Sequence, residues 1–413
     1  MSLRIDNARV LDGRGGVLEN RRLTIDDGRI IMVEDAANSK GAGPPAADTI
    51  DAAGMTVMPG VIDCHVHLSI GAAADAMGEA LADTDSIAAI RMAHNAARTL
   101  AAGITTVRDM GAKNHIDLAF RAAVNQGIYP FAPRILPSGR PITMTGGHCW
   151  QIGRQADGVD DARRAAREQI KAGVDWIKLM ATGGILTQGT EIGAPQLGED
   201  EMRAAIEEAH KAGRRTAVHA HGASGIKNAV RAGIDSVEHA YFLDDEGIEL
   251  MIERDCWLVP TAAAVKLVVE HGVEGGIPCY VVRKAASAID SQVETCRKAW
   301  RAGVHLAMGT DAGTPYNRHG ENMQELEAMV EIGLSPMEAI VMATSRSAAL
   351  LGLGDRIGAV EAGFEADLLI VHGAPDEDVS ILRDAEQIKY VLQNGRIVAR
   401  SGKIAAAADE SAS

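Results

Sequence analysis

Residues 58–67 read MPGVIDCHVH, an apolar run that ends in two histidines separated by one residue. A short apolar run of this kind predicts a buried β-strand, and alternate side chains of a strand point to the same side. His65 and His67 would therefore present both imidazoles at one end of the strand, where they can bind one metal ion. The pair alone is weak evidence for a metal site. Further candidate ligands elsewhere in the chain are needed to support one.

Short apolar runs alternate with alanine-rich helical segments after this stretch. Several helical segments end in Ala-Gly, as at Gly103, Gly173 and Gly233, and a glycine just past a helix end is a common C-cap. With residues 56–67, eight strands are predicted, the others being 104–109, 134–137, 176–180, 215–221, 236–239, 257–261 and 305–311. Helices are predicted over 87–101, 160–171, 199–211, 224–231, 281–301 and 336–351. This alternation is typical of an α/β fold, either a closed (β/α)8 barrel or an open doubly wound sheet.

The two ends of the chain have a different pattern, with short strands and hairpin turns. The predicted terminal strands are 4–10, 22–25, 29–33, 368–371, 388–393 and 396–399. The predicted turns are Asp12-Gly13, Asp27-Gly28 and Asn394-Gly395. Because both ends look alike, we expect them to fold together as one small sheet domain beside the larger α/β unit.

These patterns predict four segments of the chain. Residues 1–57 and 355–404 are expected to form the small sheet domain, with a loop at 40–47. Residues 58–354 are expected to form the strand–helix unit, and residues 405–413 a disordered tail.

Composition excludes several classes of partner. The 413 residues are 46% apolar and carry a formal net charge of −15, which disfavours binding to nucleic acid or to an anionic membrane. The five cysteines are scattered without a CxxC motif, which favours a reducing compartment. We find no signal peptide and no apolar run long enough to span a bilayer. We therefore expect a cytoplasmic, homo-oligomeric protein with a small-molecule substrate.

Three further metal-binding side chains come at the predicted ends of other strands. His219 ends the fifth strand in AVHAHG, His239 ends the sixth in VEHA, and Asp311 ends the eighth in MGTDAG. Barrel enzymes place their active sites at the carboxyl ends of their parallel strands. The spacing of these residues along the predicted strands therefore favours one shared site.

Lys178 lies inside the fourth predicted strand, in the apolar sequence WIKLM. Burial makes an ammonium group costly and lowers the pKa of the lysine. A neutral amine can add CO₂ to form a carbamate, whose two oxygens can bridge two cations. The alternative is an interior lysine paired with Asp or Glu, and the four histidines and the aspartate favour the carbamate.

The donors then suffice for two divalent ions, with zinc the first choice and cobalt or manganese possible. One ion would bind His65, His67, Asp311 and the carbamate, and the other His219, His239 and the carbamate. A hydroxide shared by the two ions would be nucleophilic near neutral pH. Asp311 could take its proton and pass it to the leaving group.

The sequence resembles the amidohydrolase superfamily of metal-dependent hydrolases over nearly its whole length. The motifs that carry the resemblance are MPGVIDCHVH, GITTVRDMG, TMTGGH, WIKLMATGG, AVHAHG, VEHA, MGTDAG, ATSRSAALLG and IGAVEAGFEADLLIV. The resemblance implies a distorted (β/α)8 TIM barrel with a small β-sandwich domain, and a binuclear centre with Lys178 N-carboxylated by CO₂. The implied ligands are His65, His67, Lys178, His219, His239 and Asp311.

Within that superfamily the sequence is most similar to Xaa-Pro dipeptidases (prolidases) and imidazolonepropionase-like amidohydrolases. Gly222 stands where imidazolonepropionases and many deaminases have the glutamate of a His-x-x-Glu motif, and those enzymes lack the lysine found here at 178. Both differences favour binuclear amide hydrolysis over mononuclear deamination.

Four more residues are candidates for substrate contacts. His148 and Tyr241 resemble residues that hold the scissile carbonyl in similar dipeptidases, and we expect both to be catalytic together with Asp311. Arg140 could bind a substrate carboxylate. His221 either faces the site or is a buried histidine bonded to backbone.

We therefore expect a metal-dependent amidohydrolase that cleaves a C–N bond through a metal-bridged hydroxide, with Asp311 as the proton shuttle. The first-choice substrate is a dipeptide, Xaa-Pro-like, or an N-acyl amino acid. The alternative substrate is an aryl amide, carbamate or urea. A barrel homologue without catalytic activity is a weaker alternative, because all six ligand positions are present.

Overall fold

The computed structural model describes residues 2–37 and 48–405. The predicted loop at 40–47 and the predicted tail, apart from Ala405, lie outside these residues. The first fourteen strands are β1 Leu3–Leu11, β2 Val17–Asp26, β3 Arg29–Asp35, β4 Asp48–Asp51, β5 Met55–Pro59, β6 Val61–Val66, β7 Ile104–Asp109, β8 Arg134–Pro137, β9 Ile142–Thr143, β10 Arg154–Gln155, β11 Trp176–Met180, β12 Arg215–Gly222, β13 Ser236–Phe242 and β14 Trp257–Val259. The last four are β15 Leu368–His372, β16 Ile388–Gln393, β17 Arg396–Arg400 and β18 Lys403–Ile404.

The helices occupy the intervals between the parallel strands and the stretch that follows them. They are α1 Ala76–Ala82, α2 Asp85–Ala101, α3 Ile116–Asn125, α4 Val159–Ala172, α5 Glu199–Lys211, α6 Ala223–Ala232, α7 Asp245–Glu253, α8 Ala262–His271, α9 Cys279–Ala286, α10 Ile289–Ala302, α11 Gln324–Ile332, α12 Pro336–Val341 and α13 Ser347–Leu350. Short 3₁₀ helices span Lys113–His115 and Val379–Arg383, and a π-helical turn, Met342–Arg346, joins α12 to α13. No helix in the described ranges has the length and apolar character required to cross a membrane.

Strands from both ends of the chain lie in one nine-stranded sheet. Its order is β18-β17-β16-β15-β5-β1-β2-β3, with β4 also paired to β1. The two-residue turns Asp27-Gly28 and Asn394-Gly395 have positive φ at both positions, as tight hairpins between twisted strands require. The chain leaves this sheet at Pro59 and enters β6 after Gly60, where a Cβ atom would lie 2.3 Å from the Thr105 hydroxyl.

Two parallel sheets carry the remaining strands, which confirms the predicted α/β fold with parallel sheets. One sheet has the order β6-β7-β8, and the other β10-β9-β11-β12-β13-β14. On one side Asp175 N donates to Pro137 O and so connects the two sheets. On the other side the segment 305–312 lies between them, because Leu258 N donates to His305 O and Cys64 N donates to Met308 O. The carboxyl ends of β6, β11, β12 and β13 consequently lie at one side of the molecule.

The eighth predicted strand, 305–311, is not a regular strand. In place of a continuous ladder it forms isolated bridges, of Leu306 with Leu258 and of Ala312 with Val66. Side-chain bonding replaces part of the ladder, because Thr310 donates from its backbone N and its hydroxyl to the carboxylate of Asp63. The prediction of a regular strand was therefore wrong, although the segment does lie between β14 and β6.

The predicted helix 281–301 is interrupted. Helix α9 ends at Ala286 and α10 begins at Ile289. The hydroxyl of Ser287 donates to the carbonyl of Lys284 at 2.7 Å and so satisfies one of the last carbonyls of α9. No glycine or proline marks this break, which explains why the sequence pattern missed it.

Candidate metal centre and active site

The six predicted metal ligands line a single cavity at the carboxyl ends of the parallel strands. His65 lies in β6, with His67 just after it, and Lys178, His219 and His239 lie in β11, β12 and β13. The cavity is also lined by predicted substrate-contact residues, namely His148, His221 and Tyr241.

Asp311 joins the two histidines of the HVH motif. Its Oδ1 lies 3.4 Å from Nε2 of His65 and 3.3 Å from Nε2 of His67. One ligand atom from each of His65, His239 and Asp311 falls within a group whose members are all within 4.8 Å of one another. Imidazole and carboxylate donors this close together suit a divalent ion of the zinc type.

A buried chain of hydrogen bonds orients His65. Its Nδ1 lies 2.7 Å from the carboxylate of Glu238, which also accepts from Arg108 at 2.9 and 3.0 Å and from the Ser236 hydroxyl at 2.7 Å. The guanidinium of Arg108 lies over the ring of Trp176, 4.4 Å from its centroid. With Nδ1 bound to a carboxylate, Nε2 of His65 is left free for a metal ion.

Two further ring nitrogens are held in the same way. Nδ1 of His67 lies 3.2 Å from the carbonyl oxygen of Gly111, and Nδ1 of His239 lies 2.6 Å from the hydroxyl of Thr261. Each contact leaves Nε2 of the ring available on the opposite side. Together with Glu238, these groups fix three of the four predicted histidine ligands by contacts within the protein.

His219 and Lys178 lack such contacts. Nε2 of His219 and Nζ of Lys178 are buried and have no hydrogen-bond partner in the described structure. Burial lowers the pKa of Lys178 to about 8, although nearby Glu238 acts in the opposite direction. Unsatisfied buried donors are costly unless a ligand completes them. These two atoms therefore fit a metal ion and a carboxylated lysine.

The backbone at the site is strained at several strand ends. His239, Ala240, Thr261 and Asp311 have φ values of 73°, 55°, 49° and 60°. Residues with side chains rarely adopt these left-handed conformations, which cost free energy and cluster at functional sites. Two of these residues, His239 and Asp311, are predicted metal ligands, and Thr261 contacts Nδ1 of His239.

The three aromatic candidates for substrate contact lie beside the ligands. The ring of His148 is 4.1 Å from that of His219, and its Nδ1 lies 2.9 Å from the Thr187 hydroxyl. The ring of His221 is 4.4 Å from the phenol of Tyr241, and its Nδ1 has no partner in the described structure. His221 therefore faces the ligand cluster and is not bonded to backbone through that nitrogen.

Arg140 is not brought into the cavity. Its guanidinium donates to the carbonyl oxygen of Gly153, and it is absent from the described residues that line the site. The cavity walls away from the ligand cluster are mostly apolar: Ile70, Ala76, Met77, Ile152, Met180, Ile185, Leu186, Ala264, Val265 and Val268. The described structure therefore gives no support to the predicted role of Arg140 in binding a substrate carboxylate.

Several residues that support the site were not singled out from the sequence. Arg108 and Glu238 sit inside predicted strands, where a charged residue in an otherwise buried run is the signal that could have identified them. Thr187 and Thr261 carry no comparable signal, because threonine is common in loops and strands. Their roles depend on contacts between distant parts of the chain.

Comparison with known proteins agrees with this geometry. The model of the amidohydrolase family matches residues 56–398. The chain belongs to the amidohydrolase family. Amidohydrolases generally bind divalent metal ions, and the cluster of His65, His239 and Asp311 is compatible with such a site.

Three relatives illustrate the range of this amidohydrolase's neighbours. The crystal structure of a Xaa-Pro dipeptidase with methionine bound in its active site is 33% identical, with a TM-score of 0.87, covering 96% of this chain and 99% of that one. A prolidase complexed with N-methylphosphonate-L-proline is 33% identical, with a TM-score of 0.89, covering 97% and 100%. Ochratoxinase from Aspergillus niger is 28% identical over 418 residues, which is 94% of this chain and 85% of the relative.

Proposed function

We propose that this amidohydrolase cleaves the C–N bond of a dipeptide, Xaa-Pro-like, or of an N-acyl amino acid, with two divalent metal ions, most simply Zn²⁺. The observation that carries the proposal is the meeting of all six predicted ligands at one cavity, where Nζ of Lys178 and Nε2 of His219 are buried without partners. Structural similarity to a Xaa-Pro dipeptidase and to a prolidase supports the peptide-like substrate.

Lys178 is proposed to be N-carboxylated. It is 2% exposed, and burial favours the neutral amine, which is the form that adds CO₂. The nitrogen attacks the carbon of CO₂ and releases one proton, which leaves a carbamate with two acceptor oxygens. This change replaces an unsatisfied buried donor with a group that can bridge two cations.

Metal ions bound here would supply a nucleophilic water at neutral pH and would polarise the scissile carbonyl. Asp311, beside His65 and His67, would accept the proton from the attacking water and deliver it to the departing nitrogen. His148 and Tyr241 would donate hydrogen bonds to the carbonyl oxygen as negative charge develops on it. The apolar walls would bind substrate side chains and exclude bulk water.

The arrangement of strands supports the finer description of the fold. We propose that β6, β7, β8, β11, β12, β13, β14 and the segment 305–312 form a distorted (β/α)8 barrel over residues 58–354. Backbone hydrogen bonds from Asp175 to Pro137, from Leu258 to His305 and from Cys64 to Met308 support closure of the ring. Residues 1–57 and 355–404 would form the β-sandwich that flanks it.

A second candidate function is hydrolysis of a neutral aryl amide, carbamate or urea. The observation that favours it is the apolar character of the cavity, together with the position of Arg140 outside it. A substrate without a carboxylate would need no such cation. Both candidates use the same metal centre and differ in the leaving group.

One panel of substrates tests both candidates on the zinc-loaded enzyme. It contains the free acids Met-Pro, Leu-Pro, N-acetyl-methionine and N-acetyl-phenylalanine and, as uncharged amides, acetanilide, methyl N-phenylcarbamate and phenylurea. Turnover of the free acids well above that of the amides supports the dipeptidase-type function, and the reverse order supports the second candidate. Absence of turnover for every member, with two zinc ions bound per chain, would contradict both.

A further inference from the structure

Residues 184–187 form a loop segment that both holds and packs against His148. The side chains of Ile185 and Leu186 line the cavity, and the hydroxyl of Thr187 lies 2.9 Å from Nδ1 of His148. A Cβ atom placed on Gly184 would lie 2.4 Å from Cε1 of the same ring. The backbone of this segment therefore determines where the imidazole sits.

Helix α9 holds the segment through a buried lysine. Nζ of Lys284 donates to the carbonyl oxygens of Gly184 at 3.0 Å and of Thr187 at 2.8 Å, and the hydroxyl of Tyr280 donates to the carbonyl of Leu186 at 3.1 Å. Lys284 is only 8% exposed, and no carboxylate in the described residues lies within ion-pair distance of its ammonium. The ring of Tyr280 lies 5.8 Å from the ammonium, but burial of a cation without a direct carboxylate partner is still costly. We therefore assign Lys284 the role of ordering this segment.

The hydroxyl of Thr187 can select one tautomer of the His148 imidazole. Its Oγ1 accepts the backbone N–H of Cys149 at 3.1 Å, which leaves the hydroxyl hydrogen free to point at Nδ1 of His148. When Nδ1 accepts, the ring hydrogen resides on Nε2. That form can donate a hydrogen bond to a substrate carbonyl oxygen.

We propose that Lys284 is a positioning residue for His148. By fixing the carbonyls of Gly184 and Thr187, it holds the Thr187 hydroxyl against Nδ1 and so keeps Nε2 of His148 as a hydrogen-bond donor toward the substrate. The proposal rests on the proposed function, because it assigns His148 a substrate contact. Lys284 is a buried residue of α9 and lies outside the candidate metal centre. Through His148 it would affect the rate of hydrolysis.

Substitution of Lys284 tests this assignment. Lys284→Met keeps the length of the side chain and removes the donors, and we expect it to lower kcat by about 10- to 100-fold with little change in KM. Lys284→Arg restores donors to the carbonyls and should recover most of the loss. Lys298→Met, at an exposed lysine paired with Asp245 on the surface, is the matched control and should retain the wild-type rate.

A double-mutant cycle with His148→Ala separates positioning from general destabilisation. If Lys284 acts through His148, Lys284→Met should change the rate by less than about twofold in the His148→Ala background. An equal loss in both backgrounds, or a loss of bound zinc, would overturn the proposal. Should Lys284→Met fail to fold, Thr187→Val removes only the hydroxyl and must show the same dependence on His148, with Thr187→Ser as its rescue.

Crystal structures of zinc-loaded wild type and Lys284→Met give a readout that needs no substrate. The expected result is a shift of residues 184–187 and a rotated His148 ring, with the six ligands unmoved. An unchanged His148 would refute the positioning role even if the substrate panel confirmed hydrolysis. Displacement of His148 in an enzyme that turns over none of the panel would leave positioning intact and contradict the proposed function alone.

Discussion

The protein holds the side chains of two pairs of predicted ligands in different ways. His65 and His67 lie at the end of β6, whereas His219 and Lys178 lie on the neighbouring strands β12 and β11. The first pair is fixed through Nδ1 by Glu238 and by the carbonyl of Gly111. The second pair ends in atoms that have no partner within the described structure. One half of the candidate centre is thus held by contacts within the protein, whereas the other half would need a bound metal ion to satisfy its hydrogen-bonding atoms and balance its charge.

The largest effect on activity is expected at Lys178, whose Nζ has no hydrogen-bond partner within the described structure. Lys178→Ala should lower kcat/KM by at least about 1,000-fold, because it removes the proposed bridging group of both ions. Zinc content measured by mass spectrometry should fall below two ions per chain. Added formate or acetate should restore part of the activity, and a variant that retains full zinc and activity would contradict the carbamate.

The organised half should fail in a different way. Glu238→Gln leaves Arg108 buried without its carboxylate and weakens the orientation of His65. We expect the free energy of unfolding to fall by about 3 kcal/mol and zinc affinity to fall by about 10- to 100-fold. Urea titrations and chelator competition measure the two effects. The exposed Glu331→Gln is the control, and an equal change in both variants would show that the buried array has no special role.

A buried carboxylate outside both halves gives a pH test. Burial raises the pKa of Glu325 to about 8, although it accepts two backbone N–H groups at the start of α8. Between about pH 4.5 and 8 the folded protein keeps a proton that the unfolded chain releases, so this group lowers stability as pH rises, by about 1.4 kcal/mol per pH unit.

Glu325→Gln should remove that contribution. The stability of the variant relative to wild type should therefore increase from pH 5.5 to 7.5 in urea unfolding experiments. The exposed Glu249→Gln serves as the reference for the loss of one surface carboxylate over the same pH range. A flat difference for Glu325→Gln would mean that this carboxyl titrates normally.

The metal-free protein should show how much burial of the Lys178 amine without an acceptor lowers the free energy of unfolding. Without metal, Lys178→Met replaces a buried donor that has no acceptor by an apolar side chain of similar length. We expect the variant to be more stable than wild type by about 1–3 kcal/mol, opposite in sign to the effect of Glu238→Gln. Thermal unfolding in the presence of a chelator measures the difference, and a destabilised variant would show that Lys178 has a partner.

The smallest effect is expected at Arg140. Because its guanidinium bonds to Gly153 O and lies outside the cavity lining, Arg140→Ala should change kcat/KM for a dipeptide by less than about twofold. Steady-state kinetics with Leu-Pro provide the measurement. A large increase in KM for the free acid alone would restore Arg140 as the group that binds the substrate carboxylate.

The sequence predicted well those features that depend on short-range patterns. The strand 104–109 and the helix 199–211 match β7 and α5, because apolar periodicity and the charged residues at helix ends are local signals. The predicted ligands could be found because five of them lie at or near the end of an apolar run and because Lys178 is a charged residue inside one. Periodicity could not show that 305–311 is irregular, because Asp63 provides the bonds that replace its ladder from another strand.

The supporting parts of the site depend on contacts that no local pattern encodes. Glu238 and Arg108 are separated by 130 residues, and Lys284 reaches Thr187 across 97. Arg140 shares a loop with His148 in the sequence, but its guanidinium bonds to Gly153 O and it is not among the described residues that line the cavity. Composition and spacing can propose the chemistry of a side chain, whereas its neighbours are set by tertiary packing.

The transition at Gly60 has a consequence for the order in which the protein can assemble during synthesis. Strand β5, which leads directly into the His65 strand, lies between β1 and β15, and β15 ends at His372. A ribosome must therefore translate the whole stretch from β5 to β15 before β5 acquires both neighbours. Such long-range pairing slows folding, and it leaves the segment that leads into His65 with an unpaired edge until β15 has been synthesised.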